Sequence, residues 1–204
     1  MVKSVSPIEP LINIDTLSLL TSKAPWASLH GAKDHDLGAG MIYYALVYSF
    51  RSKVCVCLGS GDGFVPKIMR QAQRDLKLEG SYTLLVDGNM GSWGRPIWHD
   101  PSSEFRRLYP EIKISYLSTQ SFALNAPTDL SIHYLHIDAD RRVQSVIADF
   151  DAFLPYMTSP SVITIHDTGP KAPCKAAIDL LRQRGYTLTN FEHLGMGFSL
   201  LYLP

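Results

Sequence analysis

The chain of 204 residues has only three cysteines, no excess of either charge and no long apolar run. Cys55, Cys57 and Cys174 form no disulfide framework, and the alternating Cys55 and Cys57 indicate one face of a buried strand in preference to a metal site. Nineteen basic residues balance nineteen acidic ones, so no net field attracts the protein to nucleic acid or to an anionic membrane. A secretory apolar core and a bilayer-spanning run of roughly 20 apolar residues are both missing. We therefore expect a cytoplasmic protein whose partners include neither nucleic acid nor membrane.

The residues that are present indicate a globular protein. Hydrophobic residues make up 46% of the chain and charged residues 19%, which is far from the composition of disordered chains. A length close to the usual domain size of roughly 100 to 200 residues predicts a single domain over 1–204. We expect a helical N-terminal segment at 1–50, packed on an α/β core at 51–204.

Short apolar runs alternate with longer segments of helical period after Lys53, which is typical of βαβ units around a parallel sheet. The predicted strands are 54–58, 82–87, 112–117, 132–138, 161–166, 186–191 and 196–203. The predicted helices are 64–78, 142–157 and 173–184, with weaker ones at 103–109 and 119–124, an apolar one at 40–50 and one within 7–29. Only four residues, 192–195, separate the last two strands, so these form an antiparallel hairpin. The predicted fold is a Rossmann-like α/β domain, with a mostly parallel seven-stranded sheet, an antiparallel C-terminal strand and helices on both faces.

A glycine-rich turn follows the first strand and precedes the helix that begins near Phe64. Glycine allows the backbone to turn tightly and to approach a ligand, and the N–H groups at the helix start face that ligand. Open α/β sheets bind ligands at the carboxyl ends of their strands, so the turn predicts a binding site, with an ordinary tight turn as the alternative. The dinucleotide fingerprint needs glycine at position 64, where this chain has Phe64, and this argues against NAD. The turn consists of Gly59, Ser60, Gly61, Asp62 and Gly63.

Asp87 ends the second predicted strand, where a carboxylate can accept hydrogen bonds from both hydroxyls of a ribose. The alternative is a solvated aspartate that forms a turn before Gly88.

These features resemble class I methyltransferases that depend on S-adenosylmethionine (SAM), especially small-molecule O-methyltransferases of the macrocin O-methyltransferase and cephalosporin hydroxylase type. The resemblance covers about residues 38–202 and includes the stretches 136–140 and 166–168 at the ends of two further strands. It implies that the turn from Gly59 to Gly63 borders the methionine part of SAM, that Asp87 holds the ribose and that Ser118 lies near the adenine. The chain departs from the family pattern at Cys57, where an acidic residue is usual, and at Arg141, where a histidine is frequent.

Polar side chains end the fourth and fifth predicted strands, which bring them to one edge of the sheet. Carboxylate and imidazole groups can bind a divalent ion such as Mg²⁺, and the resemblance implies Asp138, His166 and Asp167 as its ligands. Without a metal, His166 or Asp138 is a candidate general base. A purely structural role is the third possibility, and Asp140 is a candidate N-cap of the helix from 142.

The expected reaction is methyl transfer from SAM to an oxygen of a small-molecule acceptor, with or without a metal ion. A SAM-binding protein without catalysis, a scaffold on the same fold and a nicotinamide oxidoreductase are the alternatives. Trp93, Trp98 and the stretch 42–44 are candidates for an apolar acceptor wall, with core packing as the alternative for 42–44. His35 and His99 are weaker site candidates, with exposed loop positions as the alternative. The remaining histidines are assigned to structural roles: His30, His133, His136 and His193.

Overall fold

The computed structural model describes residues 13–21, 24–88 and 100–204. Trp93, Trp98 and His99, and part of the predicted N-terminal segment, lie outside these residues. The first part of the described chain contains α1 (Ile14–Thr21), a 3₁₀ segment (Pro25–His30), α2 (Ala39–Phe50), β1 (Val54–Leu58), α3 (Phe64–Asp75) and β2 (Tyr82–Val86). The second part contains α4 (Glu104–Leu108), β3 (Lys113–Ser115), α5 (Thr119–Leu124), β4 (Ile132–Ile137), α6 (Val143–Phe153), a 3₁₀ turn (Leu154–Tyr156), β5 (Met157–His166), α7 (Lys175–Gln183), β6 (Leu188–Phe191) and β7 (Phe198–Leu203).

The seven strands form one sheet in the order β3-β2-β1-β4-β5-β7-β6. Strands β1 to β5 are parallel to one another, whereas β7 is antiparallel to both β5 and β6. The predicted fold class, the seven strands and the C-terminal hairpin are therefore confirmed. The parallel arrangement places the ends of β1, β2, β4 and β5 along one edge of the sheet.

Apolar side chains on the two faces of the sheet pack into two layers. Cys55, Cys57 and Tyr134 face the layer that contains α2 and α3, while Val56 and Ile163 face the layer that contains α6 and α7. All five residues of β1 are buried, as expected for a central parallel strand with helices on both faces. Cys55 and Cys57 thus share one face of a buried strand, as the sequence predicts.

The predicted helix 142–157 is too long, and the predicted strand 161–166 starts too late. Helix α6 ends at Phe153 and a 3₁₀ turn follows it, because Pro155 has no N–H to continue the helical ladder. Strand β5 already begins at Met157, which pairs with Ile132 of β4 across a register shift. The polar start of β5, Thr158-Ser159-Pro160, lacks the apolar character by which the rest of the strand is recognised.

The described residues contain no helix with both the length and the apolar character that crossing a membrane requires.

Candidate functional site

The glycine turn lies at the end of β1, against the backbone that follows β4. Gly59 has φ 69°, in the left-handed region, and its N–H donates to the carbonyl of Val86 at 2.9 Å. A Cβ on Gly59 would lie 2.5 Å from the Cα of Ala139 and 2.5 Å from the carbonyl oxygen of Asp138. Both the backbone angle and the close packing therefore require glycine at this position.

The chain before α2, which we call the N-terminal strap (residues 24–38), crosses over the glycine turn. A Cβ on Gly61 would be 3.6 Å from the indole of Trp26. The backbone N–H of Trp26 donates to Asp62 Oδ2 at 2.6 Å. The N–H of Phe64 donates to Asp62 Oδ1 at 3.1 Å. Burial raises the pKa of Asp62, although these N–H groups and Lys67 act in the opposite direction. The Asp62 carboxylate thus joins the strap to the start of α3.

A cavity of about 570 Å³ opens at the ends of β2 and β4, within the size range of sites for small molecules and cofactors. It brings together Asp87 and Ser118, two of the predicted cofactor residues. The N–H of Asp87 donates to the Ser115 carbonyl at 3.0 Å, so the β2–β3 ladder continues to this position. None of the turn residues Gly59 to Gly63 lines this cavity. Among the described residues, the lining consists of Val86, Asp87, Gly88, Ser118, Thr119, Gln120, Ala139, Asp140, Arg141 and Arg142.

The wall formed by α5 is fixed by a buried carboxylate that the sequence analysis missed. Ser118 caps α5 by accepting the Ser121 N–H at 3.2 Å, and the next two residues, Thr119 and Gln120, donate to Asp149 Oδ1. Asp149 lies on α6 and is only 1% exposed. Its position between Val146 and Phe153, on the apolar stripe of α6, was the available sequence signal.

Burial raises the pKa of Asp149 to about 6, and the nearby Asp140 acts in the same direction, whereas Thr119 opposes it. The folded protein therefore binds this proton more tightly than the unfolded chain, whose aspartates have a pKa of about 3.9. As pH rises from about 4 through about 6, the free energy of unfolding should fall by about 2 to 3 kcal/mol relative to an Asp149→Asn variant. The asparagine side chain is neutral at every pH in this range, and its oxygen can still accept hydrogen bonds from Thr119 and Gln120.

This prediction is checked by urea denaturation of both proteins between pH 4 and pH 7.5. The matched control is Asp129→Asn, because Asp129 is exposed; its curve should run parallel to that of the wild type. A constant difference between wild type and Asp149→Asn across this range would contradict a buried, proton-binding Asp149.

A compact polar cluster lies where β4 and β5 end. His166 Nδ1 is 3.3 Å from Asp138 Oδ1, and His30 Nε2 is 3.7 Å from Asp138 Oδ2. The rings of His30 and His166 stack with their centroids 3.9 Å apart. His136 Nε2 lies 3.9 Å from Asp138 Oδ2. The sequence analysis joined Asp138 with His166 but left His30 and His136 out of the site. His30 comes from the distant strap, where no local pattern marks it.

Charges within the cluster follow from burial and from mutual contact. Burial alone would raise the pKa of Asp138, but His166, His136 and His30 hold it below its usual range. Burial acts to lower the pKa of His166, and the Asp138 carboxylate outweighs it, so the net direction is upward. Burial, together with His166, lowers the pKa values of His30 and His136. At neutral pH an anionic Asp138 is therefore paired with His166, and the other two imidazoles are uncharged.

The other polar residues of this edge have protein partners. Arg141 Nε lies 2.6 Å from Asp167 Oδ2; the Arg141 side chain is 36% exposed and Asp167 is fully buried. Asp140 accepts hydrogen bonds from the Arg142 N–H at 3.0 Å and from Ser145 Oγ at 2.9 Å. Asp140 therefore organises the start of α6, where Arg142 occupies the N-cap position.

Cys57 occupies the position that is usually acidic in the methyltransferases that the sequence resembles. Its thiol is buried and lies 2.9 Å from the Gly59 carbonyl, to which it donates. Burial raises the pKa of this thiol, and the carboxylates of Asp138 and Asp87 raise it further. A neutral thiol thus fits between two acidic groups where a third carboxylate would be repelled.

Comparison by sequence yields little. No protein-family model matches the chain. An uncharacterized protein of Sinorhizobium fredii, y4gI, is 30% identical over 129 residues, which is 60% of this chain and 14% of that protein. The chain thus spans about one seventh of the length of this curated relative.

Comparison by structure is decisive for the fold. A methyltransferase from Geobacter sulfurreducens has a TM-score of 0.64 at 14% identity, over 96% of this chain and 90% of the other. The O-methyltransferase TomG from Streptomyces achromogenes, solved in complex with SAM, has a TM-score of 0.66 at 12% identity, over 91% and 90%. This chain has the methyltransferase fold. An O-methyltransferase from Bacillus cereus, in complex with S-adenosylhomocysteine (SAH), has a TM-score of 0.63 at 15% identity, over 92% and 91%.

Proposed function

We propose that this protein binds SAM and transfers its methyl group to an oxygen of a small-molecule acceptor. The observation that supports the proposal is the cavity at the ends of β2 and β4, which is lined by both Asp87 and Ser118 in a methyltransferase fold. Ligands of open α/β sheets bind at this edge. A single domain, a cytoplasmic location and the exclusion of nucleic acid as substrate belong to the same proposal.

The cofactor is assigned to this edge by the chemistry of the residues. Asp87 would accept hydrogen bonds from the ribose hydroxyls, and Ser118, at the start of α5, would lie near the adenine. Gln120, which Asp149 holds in place, adds an amide next to the same base. The methionine part of SAM is assigned to the glycine turn, where Gly59, Ser60, Gly61, Asp62 and Gly63 bring backbone close to the ligand.

The protein's contribution to the reaction is positioning and proton removal. The sulfonium of SAM already activates the methyl group, so a collinear arrangement of donor and acceptor supplies most of the catalysis. Asp138 and His166 are the proposed catalytic residues, because their pair can take the proton that the acceptor hydroxyl loses. Asp138 has a side chain that is 14% exposed, whereas that of His166 is 1% exposed, so Asp138 is the member that an acceptor can reach.

A divalent ion at this edge would act as a Lewis acid that lowers the pKa of the acceptor hydroxyl. The ligand set predicted from the sequence, Asp138, His166 and Asp167, remains a prediction. Asp138 Oδ1 and Asp167 Oδ1 lie 3.3 and 3.4 Å from His166 Nδ1, so the three residues are adjacent, but the buried Asp167 is also paired with Arg141.

The proposal is tested with SAM that carries a labelled methyl group and a panel of phenols, catechols and sugars. SAH release that requires both an acceptor and an intact Asp87 would support methyl transfer. SAM binding without acceptor-dependent SAH release would favour a non-catalytic SAM-binding protein. The departures from the methyltransferase pattern at Cys57 and Arg141 are the reason to test for this outcome. Failure of the folded protein to bind SAM would contradict both.

A further inference from the structure

We propose that His30, Asp138 and His166 bind one divalent ion of the first transition series, such as Co²⁺ or Zn²⁺, in preference to Mg²⁺. The role of the ion in catalysis rests on the proposed function, because the site lies at the edge of the sheet where the acceptor is expected. The binding of the ion does not depend on that function. Its new element is His30, which the N-terminal strap contributes to the ends of β4 and β5.

The three side chains have the spacing of a ligand set. One ligand atom from each of His30, Asp138 and His166 lies within 4.8 Å of the other two, and the two imidazole-to-carboxylate distances are 3.3 and 3.7 Å. Ligands of a tetrahedral ion with bonds of about 2.0 to 2.2 Å lie about 3.4 Å apart. The stacked rings of His30 and His166 are tilted by 28°, and because imidazole lone pairs lie in the ring plane, the His30 ring must rotate for both to bind one ion.

Each imidazole already has an oxygen partner on the nitrogen that faces away from Asp138. His166 Nε2 is 3.3 Å from the Leu29 carbonyl, to which it donates its proton. An ion that binds Nδ1 would therefore replace the Nδ1 proton that faces Asp138 and release it to solvent. His30 Nδ1 is 3.3 Å from the Tyr43 hydroxyl, which leaves His30 Nε2 as the ligand atom. Such outer hydrogen bonds fix the tautomer and the orientation of histidines that bind metals.

His136 provides a second, independent observation. Its side chain is fully buried, and Nε2 has no hydrogen-bond partner within the described residues. His136 Nδ1 is 2.7 Å from Thr164 Oγ1, while Nε2 is directed at Asp138 Oδ2 from 3.9 Å. A small shift of the carboxylate toward an ion would let His136 donate to it, and metal-ligating carboxylates are usually hydrogen-bonded in this way.

The ligand types decide the class of ion. Mg²⁺ prefers oxygen ligands and keeps several waters, whereas two of the three ligands here are imidazole nitrogens. Two imidazoles and a carboxylate suit the borderline ions Zn²⁺, Co²⁺ and Fe²⁺. The ion would also fasten the strap to the sheet, because Leu29 and His30 are strap residues and the Leu29 carbonyl accepts the Met196 N–H at 2.7 Å.

The test uses the full chain after dialysis against a chelator, titrated by calorimetry with Co²⁺ and with Mg²⁺. We expect one Co²⁺ per chain, bound at least about 100-fold more tightly than Mg²⁺, and visible Co²⁺ absorption bands. Loss of an outer hydrogen bond costs about 10- to 100-fold in metal affinity, so removal of a ligand by His30→Gln should cost at least about 100-fold. The control is His35→Gln, on the same strap but exposed, which should bind Co²⁺ like the wild type.

Equal affinity for Mg²⁺ and Co²⁺, unchanged Co²⁺ binding by His30→Gln, or no ion on the folded wild type would overturn the proposal. If His30→Gln fails to fold, X-ray absorption of the Zn²⁺-loaded wild type decides, since two imidazole ligands support the site and fewer overturn it. SAM titration of the same samples separates the two proposals, because loss of the metal site with SAM binding intact leaves the proposed function standing.

Discussion

Replacing Asp87 with alanine is expected to lower the affinity for SAM by about 100-fold or more. Hydrogen bonds to a charged group contribute about 1.5 to 3 kcal/mol each, and Asp87 can accept one from each ribose hydroxyl. Their joint loss, about 3 to 6 kcal/mol, corresponds to about two to four powers of ten in Kd. The backbone at Asp87 is held by the Ser115 carbonyl, so alanine should leave the cavity wall in place.

Calorimetric titration of wild type and Asp87→Ala with SAM measures this effect. Asp179→Ala is the control, because Asp179 is an exposed residue on α7 whose carboxylate pairs with Lys175. The control should bind SAM like the wild type. Equal affinity of Asp87→Ala and wild type for SAM would show that the ribose does not bind at this end of β2. The assignment of the cavity to the cofactor would then be wrong.

Replacing Gly59 with alanine is expected to destabilise the protein by about 2 to 5 kcal/mol. A left-handed backbone costs an L-residue roughly 1 to 2 kcal/mol. The added methyl group would also lie 2.5 Å from the backbone at Asp138 and Ala139, and overpacking of this kind costs about 1 to 3 kcal/mol or more. The displaced backbone is that of Asp138, so the polar cluster should be disturbed together with the glycine turn.

The chain offers a matched control in Gly80→Ala. Gly80 has nearly the same φ, 71°, but a Cβ there would meet nothing within 4 Å. Chemical denaturation should therefore show a loss of about 1 to 2 kcal/mol for Gly80→Ala, which is the backbone cost alone. If the free energy of unfolding falls equally in the two variants, the close contact between the ends of β1 and β4 does not contribute to the effect of Gly59→Ala.

The sequence predicts the sheet well because its central strands are short, apolar and followed by polar or glycine-rich turns. For this reason, strand β1, the turn from Gly59 to Gly63 and the hairpin of β6 and β7 can be predicted from the sequence. The start of β5 at Met157 is not predicted, because its first residues are polar and include Pro160. Their strand conformation depends on pairing with β4, which is a tertiary contact.

The site is predictable only where its residues lie at strand ends. Asp87, Asp138 and His166 follow from the rule that parallel strands deliver their carboxyl ends to one edge. His30 does not, since the strap reaches this edge through packing against the β6–β7 turn. The ion pair between Arg141 and Asp167 also depends on two neighbouring loops, and local sequence patterns do not encode such contacts.

The most direct test of the central claim is calorimetric titration of the purified wild type with SAM, SAH and NAD. We predict that SAM and SAH bind one per chain, with dissociation constants on the order of micromolar, and that NAD does not bind measurably. Binding of NAD in preference to the adenosyl compounds, or no binding of SAM and SAH by the folded protein, would contradict the account.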